Sequence, residues 1–221
     1  MLMNFIKREG MLSINPDRAI NAVDVDFESS DLSDIPVVGL LYQTGYLTIA
    51  DYANGVYRLR VPDEEVRQDV AALVAGAYAD RSAQWSASLG GKLRAGCWDD
   101  FFDGLKALYA KLPYGSREGF ERKNEFSYTR PLCMLLAAQG FRYDIEAAYT
   151  VGRSDLVATA TTGVYIFELK VDATAAQALA QIHEKDYAAP YRAQGLPIYA
   201  IGLSFDSKTR ELIGAECEQL Q

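Results

Sequence analysis

The pattern of hydrophobic and polar residues changes near residue 117, where a hairpin followed by helices gives way to alternating strands and helices. Beyond this point, apolar runs bounded by turn residues predict a helix, three strands, a second helix and a fourth strand. In chain order these are Glu121 to Ala138, Phe141 to Thr150, Leu156 to Thr159, Val164 to Leu169, Ala173 to Tyr187 and Pro197 to Leu203. The order α-β-β-β-α-β predicts an α/β fold with a mixed four-stranded sheet.

A small hairpin-plus-helices region precedes this core. Asn54-Gly55 lies between two runs rich in tyrosine and branched aliphatic residues, Tyr46 to Ile49 and Val56 to Val61, which predicts a β-hairpin. The spacing of apolar residues then predicts three helices. They begin near Asp63, Gln84 and Cys97, and the second is expected to end at the Gly90-Gly91 pair.

The chain therefore divides into three predicted parts. Residues 1–36 are rich in acidic and small residues without a sustained period, so we expect a weakly ordered segment. Residues 37–116 form the hairpin and helical region, and residues 117–221 form the α/β domain. The turn-forming residues Leu112 to Ser116 are the predicted linker between them.

Two charged residues end the strand that begins at Val164. The residues before them are apolar on both faces, which is typical of a central strand covered on two sides. Glu168 and Lys170 are two positions apart, so their side chains project from the same face. Charged groups at the end of a buried strand need partners or a chemical task, because an unpaired buried charge is costly.

A second carboxylate, Asp155, precedes Glu168 by 13 residues, a spacing that suits a hairpin bringing both groups to one end of the sheet. Carboxylate oxygens are the ligands that Mg²⁺ prefers. A nearby lysine can orient a metal-bound water or stabilise developing charge. The alternative is a buried ion pair between Glu168 and Lys170, with Asp155 capping the start of its strand.

Composition narrows the classes of function. The formal net charge is −8, which argues against avid, non-specific binding of nucleic acid but leaves room for a local basic groove. The three cysteines and the only histidine, His183, have no zinc-binding spacing. Neither a membrane-spanning run nor a signal peptide is evident, so we expect a cytoplasmic protein without a membrane partner.

Three segments resemble the PD-(D/E)xK nuclease domain of a large bacterial family. They are Gly152-Arg-Ser-Asp155, the YIFELK segment that ends at Lys170, and the stretch from Ala176 to Tyr191. In that family the domain follows an AAA-type ATPase-like region, and the LLYQTGYLTI segment resembles the junction between the two. The resemblance implies a restriction-endonuclease-like core, with residues 1–36 as a possible remnant of the ATPase-like region.

The resemblance also implies site residues and a cofactor. Asp155 and Glu168 are the implied ligands of Mg²⁺ or Mn²⁺, together with Leu169, and Lys170 is the implied catalytic lysine. Glu125 matches an acidic position of the first helix, and Gln181 matches a position that contacts substrate or the water shell of the metal. For Glu125 the alternatives are a solvated helix residue, or a segment preceding a helix that Pro131 opens. For Gln181 the alternative is a polar surface residue.

The resulting hypothesis is a metal-dependent nuclease that hydrolyses phosphodiester bonds of DNA or RNA. The alternative is a catalytically silent module of the same fold, with a binding or regulatory role beside an ATPase-like domain. Gly90-Gly91-Lys92 lacks the further residues of a phosphate-binding loop, so no ATP site is expected in this chain. Nucleic acid, an ATPase-like protein and a second copy of the chain are the expected partners.

Overall fold

The computed structural model describes residues 19–27, 36–79, 83–110, 125–149 and 152–220. Its strands form two sheets, one of three strands and one of five. Helices pack on both faces of the larger sheet. The fold is therefore mixed α/β, as the sequence predicts. Within the described ranges, no helix combines the length and apolar character needed to cross a membrane.

The smaller sheet contains the predicted hairpin. Strands β2 (Thr48–Ala53) and β3 (Val56–Arg60) are antiparallel, and β1 (Ile20–Ala22) pairs with the other edge of β3. Asn54 and Gly55 have φ angles of 52° and 79°, the left-handed conformation that a tight hairpin turn requires. The hairpin prediction is thus confirmed, while β1 comes from a segment in which the pattern shows no element.

Five helices precede the larger sheet in the described residues. They are α1 (Val37–Gln43), α2 (Glu64–Ala79), α3 (Ala83–Ala95), α4 (Trp98–Ala110) and α5 (Glu125–Ala137).

The hydrophobic pattern does not predict α1. The predicted end of the second helix at Gly90-Gly91 is also wrong, because α3 continues through both glycines. A Cβ atom at Gly90 would lie 2.2 Å from Cγ of Gln139, so this glycine permits close packing within a helix rather than a turn. The predicted linker, residues 112–116, lies outside the described residues.

The larger sheet has five strands, not the predicted four. They are β4 (Arg142–Tyr149), β5 (Gly152–Ala160), β6 (Gly163–Val171), β7 (Ile198–Phe205) and β8 (Leu212–Leu220). They lie in this order, and only the pairing of β6 with β7 is parallel. The missed strand, β8, lies at the edge of the sheet and contains several charged or polar residues, so it lacks the apolar run that marks the inner strands.

The two faces of β6 contact different parts of the protein. Val164 and Ile166 belong to the apolar cluster that includes Ile182 of helix α6 (Ala175–Glu184). Phe167 and Leu169, on the other face, belong to the large cluster that includes residues of α2 to α5. Because β6 is covered on both sides, the Glu168 side chain near its C-terminal end is buried.

Helix α6 begins with the predicted capping box. The main-chain N–H of Gln177 donates to the Thr174 hydroxyl at 3.2 Å, and the Gln177 side chain accepts from the Thr174 N–H at 2.9 Å. At Gly202 of β7, a Cβ atom would lie 2.3 Å from the carbonyl oxygen of Ala175. The absence of a side chain there lets the start of α6 approach the sheet directly.

Candidate metal and nuclease site

Glu168 and Lys170 project from the face of β6 that carries Val164 and Ile166. Glu168 is 1% exposed, and Lys170 lies closer to solvent, with 18% of its side chain exposed. The Lys170 Nζ atom donates to Oε1 of Glu168 at 2.8 Å. The ion pair named as an alternative from the sequence therefore exists, but it engages only one of the two carboxylate oxygens.

The second oxygen of this carboxylate lacks a hydrogen-bond partner. Oε2 of Glu168 is buried, and no donor of the described residues reaches it. A buried carboxylate oxygen without a donor is costly, since it loses its hydration without compensation. A cation bound at Oε2 would supply that compensation, so the ion pair alone does not account for this site.

Asp155 lies within β5, beside the end of the pairing between β5 and β6. The ladder of paired residues runs from Ala160↔Gly163 to Leu156↔Phe167 and stops before Asp155. Oδ2 of Asp155 then accepts a hydrogen bond from the main-chain N–H of Leu169 at 2.7 Å. The alternative in which Asp155 caps the start of a strand is wrong, because β5 begins at Gly152.

The main chain of Leu169 faces the same space. In a β-strand, the N–H and C=O groups of one residue point to the same neighbouring strand. Because the N–H of Leu169 points to Asp155, its carbonyl also faces β5, beyond the end of the ladder. Leu169 is thus in a position to offer a main-chain oxygen beside the two carboxylates.

The charges of the site act on Glu168 in opposite directions. Burial raises the pKa of Glu168 to about 7, the Asp155 carboxylate adds to the rise, and the Lys170 ammonium opposes it. Asp155 and Glu168 therefore repel each other in a poorly solvated place. A divalent cation between them would relieve this repulsion and favour the ionised form of both groups.

The donor set fits a hard divalent cation. It consists of carboxylate and carbonyl oxygens from Asp155, Glu168 and Leu169, which suits Mg²⁺ or Mn²⁺. Across the described ranges, no three histidine, cysteine, aspartate or glutamate side chains gather in a metal-binding group. Water and main-chain oxygens would complete the coordination, as is usual for Mg²⁺.

Glu146, opposite Asp155 on β4, has an unusual backbone conformation. The pairing of β4 with β5 passes from Ile145↔Leu156 to Ala147↔Ser154 and omits the intervening pair. Glu146 has a φ angle of 52°, which costs a non-glycine residue on the order of 1–3 kcal/mol. The conformation of this residue is not predictable from the sequence, because a single glutamate carries no signal of its backbone conformation.

Gln181 lies on α6 and reaches the start of β5 through a tyrosine. Its Nε2 atom donates to the Tyr187 hydroxyl at 3.3 Å, and that hydroxyl donates to the main-chain carbonyl of Arg153 at 2.7 Å. The structure thus places Gln181 beside the strand that carries Asp155. The sequence indicates no role for Tyr187, although this residue lies within the segment that resembles the nuclease family.

Glu125 is the first residue of α5. The helix continues through Pro131, so the interpretation in which Pro131 opens this helix is wrong. The side chain of Glu125 lies outside the part of the chain whose side chains are described, and its role stays a prediction.

A mixed sheet with a central strand ending in Glu-x-Lys, and an aspartate converging from the adjacent strand, is consistent with a restriction-endonuclease-like fold. Residues 123–214 match the family model of the PD-(D/E)XK nuclease superfamily. This match confirms the family that the sequence resemblance identifies for that part of the chain.

A longer relative also aligns with this chain. An uncharacterized protein in the vnfD 5′ region of Azotobacter chroococcum mcd 1 is 30% identical over 212 residues. The alignment covers 91% of this chain but only 41% of the relative. No solved structure shows a significant match to the chain.

Proposed function

We propose that this protein is a metal-dependent nuclease that hydrolyses phosphodiester bonds of DNA or RNA. The observation that carries the proposal is the buried, unpartnered Oε2 of Glu168, next to the carboxylate of Asp155. This arrangement is unfavourable in a purely structural ion pair and favourable in a cation site. The match of residues 123–214 to a nuclease superfamily supports the same conclusion.

The proposed ligands are Asp155, Glu168 and the carbonyl of Leu169, holding Mg²⁺ or Mn²⁺. A cation held by these residues would lower the pKa of a coordinated water and polarise a phosphoryl oxygen. Lys170 compensates the charge of Glu168 through Oε1 and leaves Oε2 for the metal. Its ammonium group, at the more exposed side of the site, would orient the attacking water and stabilise the charge that develops on the phosphate.

Two further residues are proposed as auxiliary groups. Gln181 would contact the substrate or a water of the metal, since its amide lies beside the start of β5. Glu125 is proposed as an additional acidic residue of the site. The proposed metal ligands themselves all lie on the two strands β5 and β6.

A second candidate function is a catalytically silent module of the same fold. The net charge of −8 favours it, because nucleic-acid affinity depends largely on Lys and Arg. The chain also spans about 41% of its longer relative, which fits a module that works beside another domain. In this case the nuclease fold would bind or regulate beside an ATPase-like partner.

Cleavage assays with two matched variants separate these candidates. Supercoiled and single-stranded DNA, and single-stranded RNA, are incubated with Mg²⁺ or Mn²⁺ and the wild-type protein, Asp155→Asn or Lys170→Met. The nuclease proposal expects metal-dependent cleavage by the wild type and a loss of at least a hundredfold in both variants. Equal background cleavage by all three proteins would contradict it and leave the silent module.

The binding partners of the protein can be tested with the same purified protein. We propose nucleic acid as the principal partner, with self-association or an ATPase-like protein as further ones. Light scattering of the protein with and without an oligonucleotide measures self-association directly. A protein mass of one chain under both conditions, after the mass of any bound oligonucleotide is subtracted, would argue against a homo-oligomer.

A further inference from the structure

An arginine, Arg153, lies beside the candidate metal site and is not one of its proposed ligands. Arg153 precedes Asp155 by two residues in β5, so both side chains leave the same face of the strand. We infer that Arg153 contacts a substrate phosphate next to the metal. In the absence of nucleic acid, the guanidinium group of Arg153 forms an ion pair with Glu146. This inference rests on the proposed nuclease function, because it assigns a substrate contact to that site.

The position of Arg153 is fixed through its main chain. The buried Tyr187 hydroxyl donates to the Arg153 carbonyl at 2.7 Å and accepts from Gln181 at 3.3 Å. A Cβ atom at the neighbouring Gly152 would lie 3.2 Å from the same hydroxyl, so the glycine allows this close approach. The start of the arginine side chain is therefore held firmly while its end extends to the surface.

The guanidinium group of Arg153 binds a carboxylate that a phosphate can replace. Nη1 of Arg153 donates to Oε2 of Glu146 at 2.9 Å, and the two side chains are 60% and 53% exposed. Ion pairs with this exposure contribute little to stability, because solvent and salt screen the attraction. A phosphodiester offers the guanidinium two charge-assisted hydrogen bonds in a fork-like geometry, which is a stronger interaction.

Nearby cationic groups extend the same surface. The Lys185 side chain approaches the start of β5, with its Cδ atom 3.8 Å from the Cβ position at Gly152. Lys170 lies at the site itself. Each of these three cations is paired with a glutamate, Glu146, Glu168 or Glu184. Exchange of a glutamate for a phosphate is therefore the way in which this part of a chain of net charge −8 would offer positive charge to a nucleic acid.

The test measures binding separately from cleavage. Short fluorescent single-stranded and duplex oligonucleotides of DNA and RNA are titrated by anisotropy with Ca²⁺ in place of Mg²⁺, and a gel verifies that they stay intact. Arg153→Gln is expected to weaken binding about tenfold and to lower the salt slope by about one unit. Arg153→Lys should restore only part of the affinity, because a lysine lacks the fork. Glu146→Gln should strengthen binding about threefold, since it removes the competing carboxylate.

Arg192→Gln is the matched control for charge. Arg192 also forms an exposed ion pair, with Asp186, at 2.7 Å and 2.9 Å. Arg192 lines a groove together with Leu220. Leu220 pairs with Ile198 at the start of β7, and Lys170 pairs with Ser204 near the end of β7. Ile198 and Ser204 are about 20 Å apart along the strand. The control should therefore change the affinity less than twofold.

The outcomes distinguish this inference from the proposed function. Equal weakening by Arg153→Gln and Arg192→Gln, no oligonucleotide binding by the wild type, or no gain in Glu146→Gln would overturn the role of Arg153. Binding of Mn²⁺, followed by electron paramagnetic resonance, and cleavage by the wild type test the nuclease proposal independently. If the wild type cleaves and Arg153→Gln binds normally, only the inference about Arg153 fails.

Discussion

The main-chain N–H of Leu169 donates to Oδ2 of Asp155, and this 2.7 Å hydrogen bond occurs where the pairing of β5 with β6 ends. In a continued ladder, the Leu169 N–H would donate to a main-chain carbonyl of β5. Here the Asp155 carboxylate accepts this hydrogen bond instead. The same contact holds Asp155 close enough to Glu168 to raise its pKa. One hydrogen bond therefore serves both the local fold and the chemistry of the site.

This double role predicts that Asp155→Ala and Asp155→Asn have different effects. Asparagine can still accept from the Leu169 N–H through its amide oxygen, whereas alanine leaves this donor without its partner. We expect Asp155→Ala to lower the free energy of unfolding by about 1–3 kcal/mol and Asp155→Asn to leave it nearly unchanged. Urea denaturation followed by circular dichroism gives both values. Both variants should lose Mn²⁺ affinity, because each removes a charged ligand.

The raised pKa of Glu168 predicts that metal binding depends on pH. Below about pH 7 the metal-free protein holds a proton on Glu168, and a cation must displace it. Mn²⁺ affinity should therefore rise between pH 6 and pH 8 by about tenfold. Calorimetry at pH 7 in two buffers of different ionisation enthalpy should detect release of a fraction of a proton. Affinity that is flat across this range would contradict the assignment of Glu168 as a ligand.

The same pKa predicts how stability changes without metal. The pKa of Glu168 is raised from 4.5 to about 7 in the folded state, so the folded protein binds this proton more tightly than the unfolded one. The favourable contribution is complete below pH 4.5 and is lost as the pH rises through 7. Relative to wild type, Glu168→Gln should gain on the order of 3 kcal/mol in unfolding free energy between pH 4.5 and pH 8. Denaturation of both proteins in EDTA across this range measures the difference, and a constant difference would refute the shift.

The central part of the site could be predicted because it depends on local sequence. Glu168 and Lys170 share a face through the two-residue period of a strand, and Asp155 is brought to them by one hairpin. The partners that complete the site come from distant parts of the chain. Tyr187 reaches Arg153 from beyond α6, and its role depends on how that helix packs on the sheet.

The fold shows the same division between local and distant causes. The inner strands and α6 carry apolar runs or a capping box, and these patterns predict that the elements exist. Strand β5 nevertheless begins four residues before its predicted start at Leu156. The edge strand β8 has no such run, because only part of its surface is buried. The left-handed conformation of Glu146 and the close packing at Gly90 depend on residues elsewhere in the sequence, so no local pattern could indicate them.

Tyr187→Phe tests whether the contact between Tyr187 and Arg153 positions the site. The substitution keeps the buried ring but removes the hydroxyl that joins Gln181 to the Arg153 carbonyl. We expect a loss of about 1 kcal/mol in unfolding free energy, the usual value for one hydrogen bond. Cleavage should fall about tenfold at unchanged Mn²⁺ affinity, because the metal ligands remain. A parallel loss of Mn²⁺ binding would instead indicate that the hydroxyl supports the ligands themselves.

Adjacent glycines of α3 provide the last prediction. A Cβ atom at Gly90 would overlap the Gln139 side chain, whereas one at Gly91 meets nothing within 4 Å. Gly91→Ala should therefore stabilise the protein by up to about 1 kcal/mol through helix propensity alone. Gly90→Ala gains the same propensity but must displace Gln139, so a net loss of about 1–2 kcal/mol is expected. Thermal denaturation of both variants measures the contrast. Equal stabilisation by the two substitutions would show that Gly90 does not serve close packing, and that α3 and the segment after α5 lie farther apart.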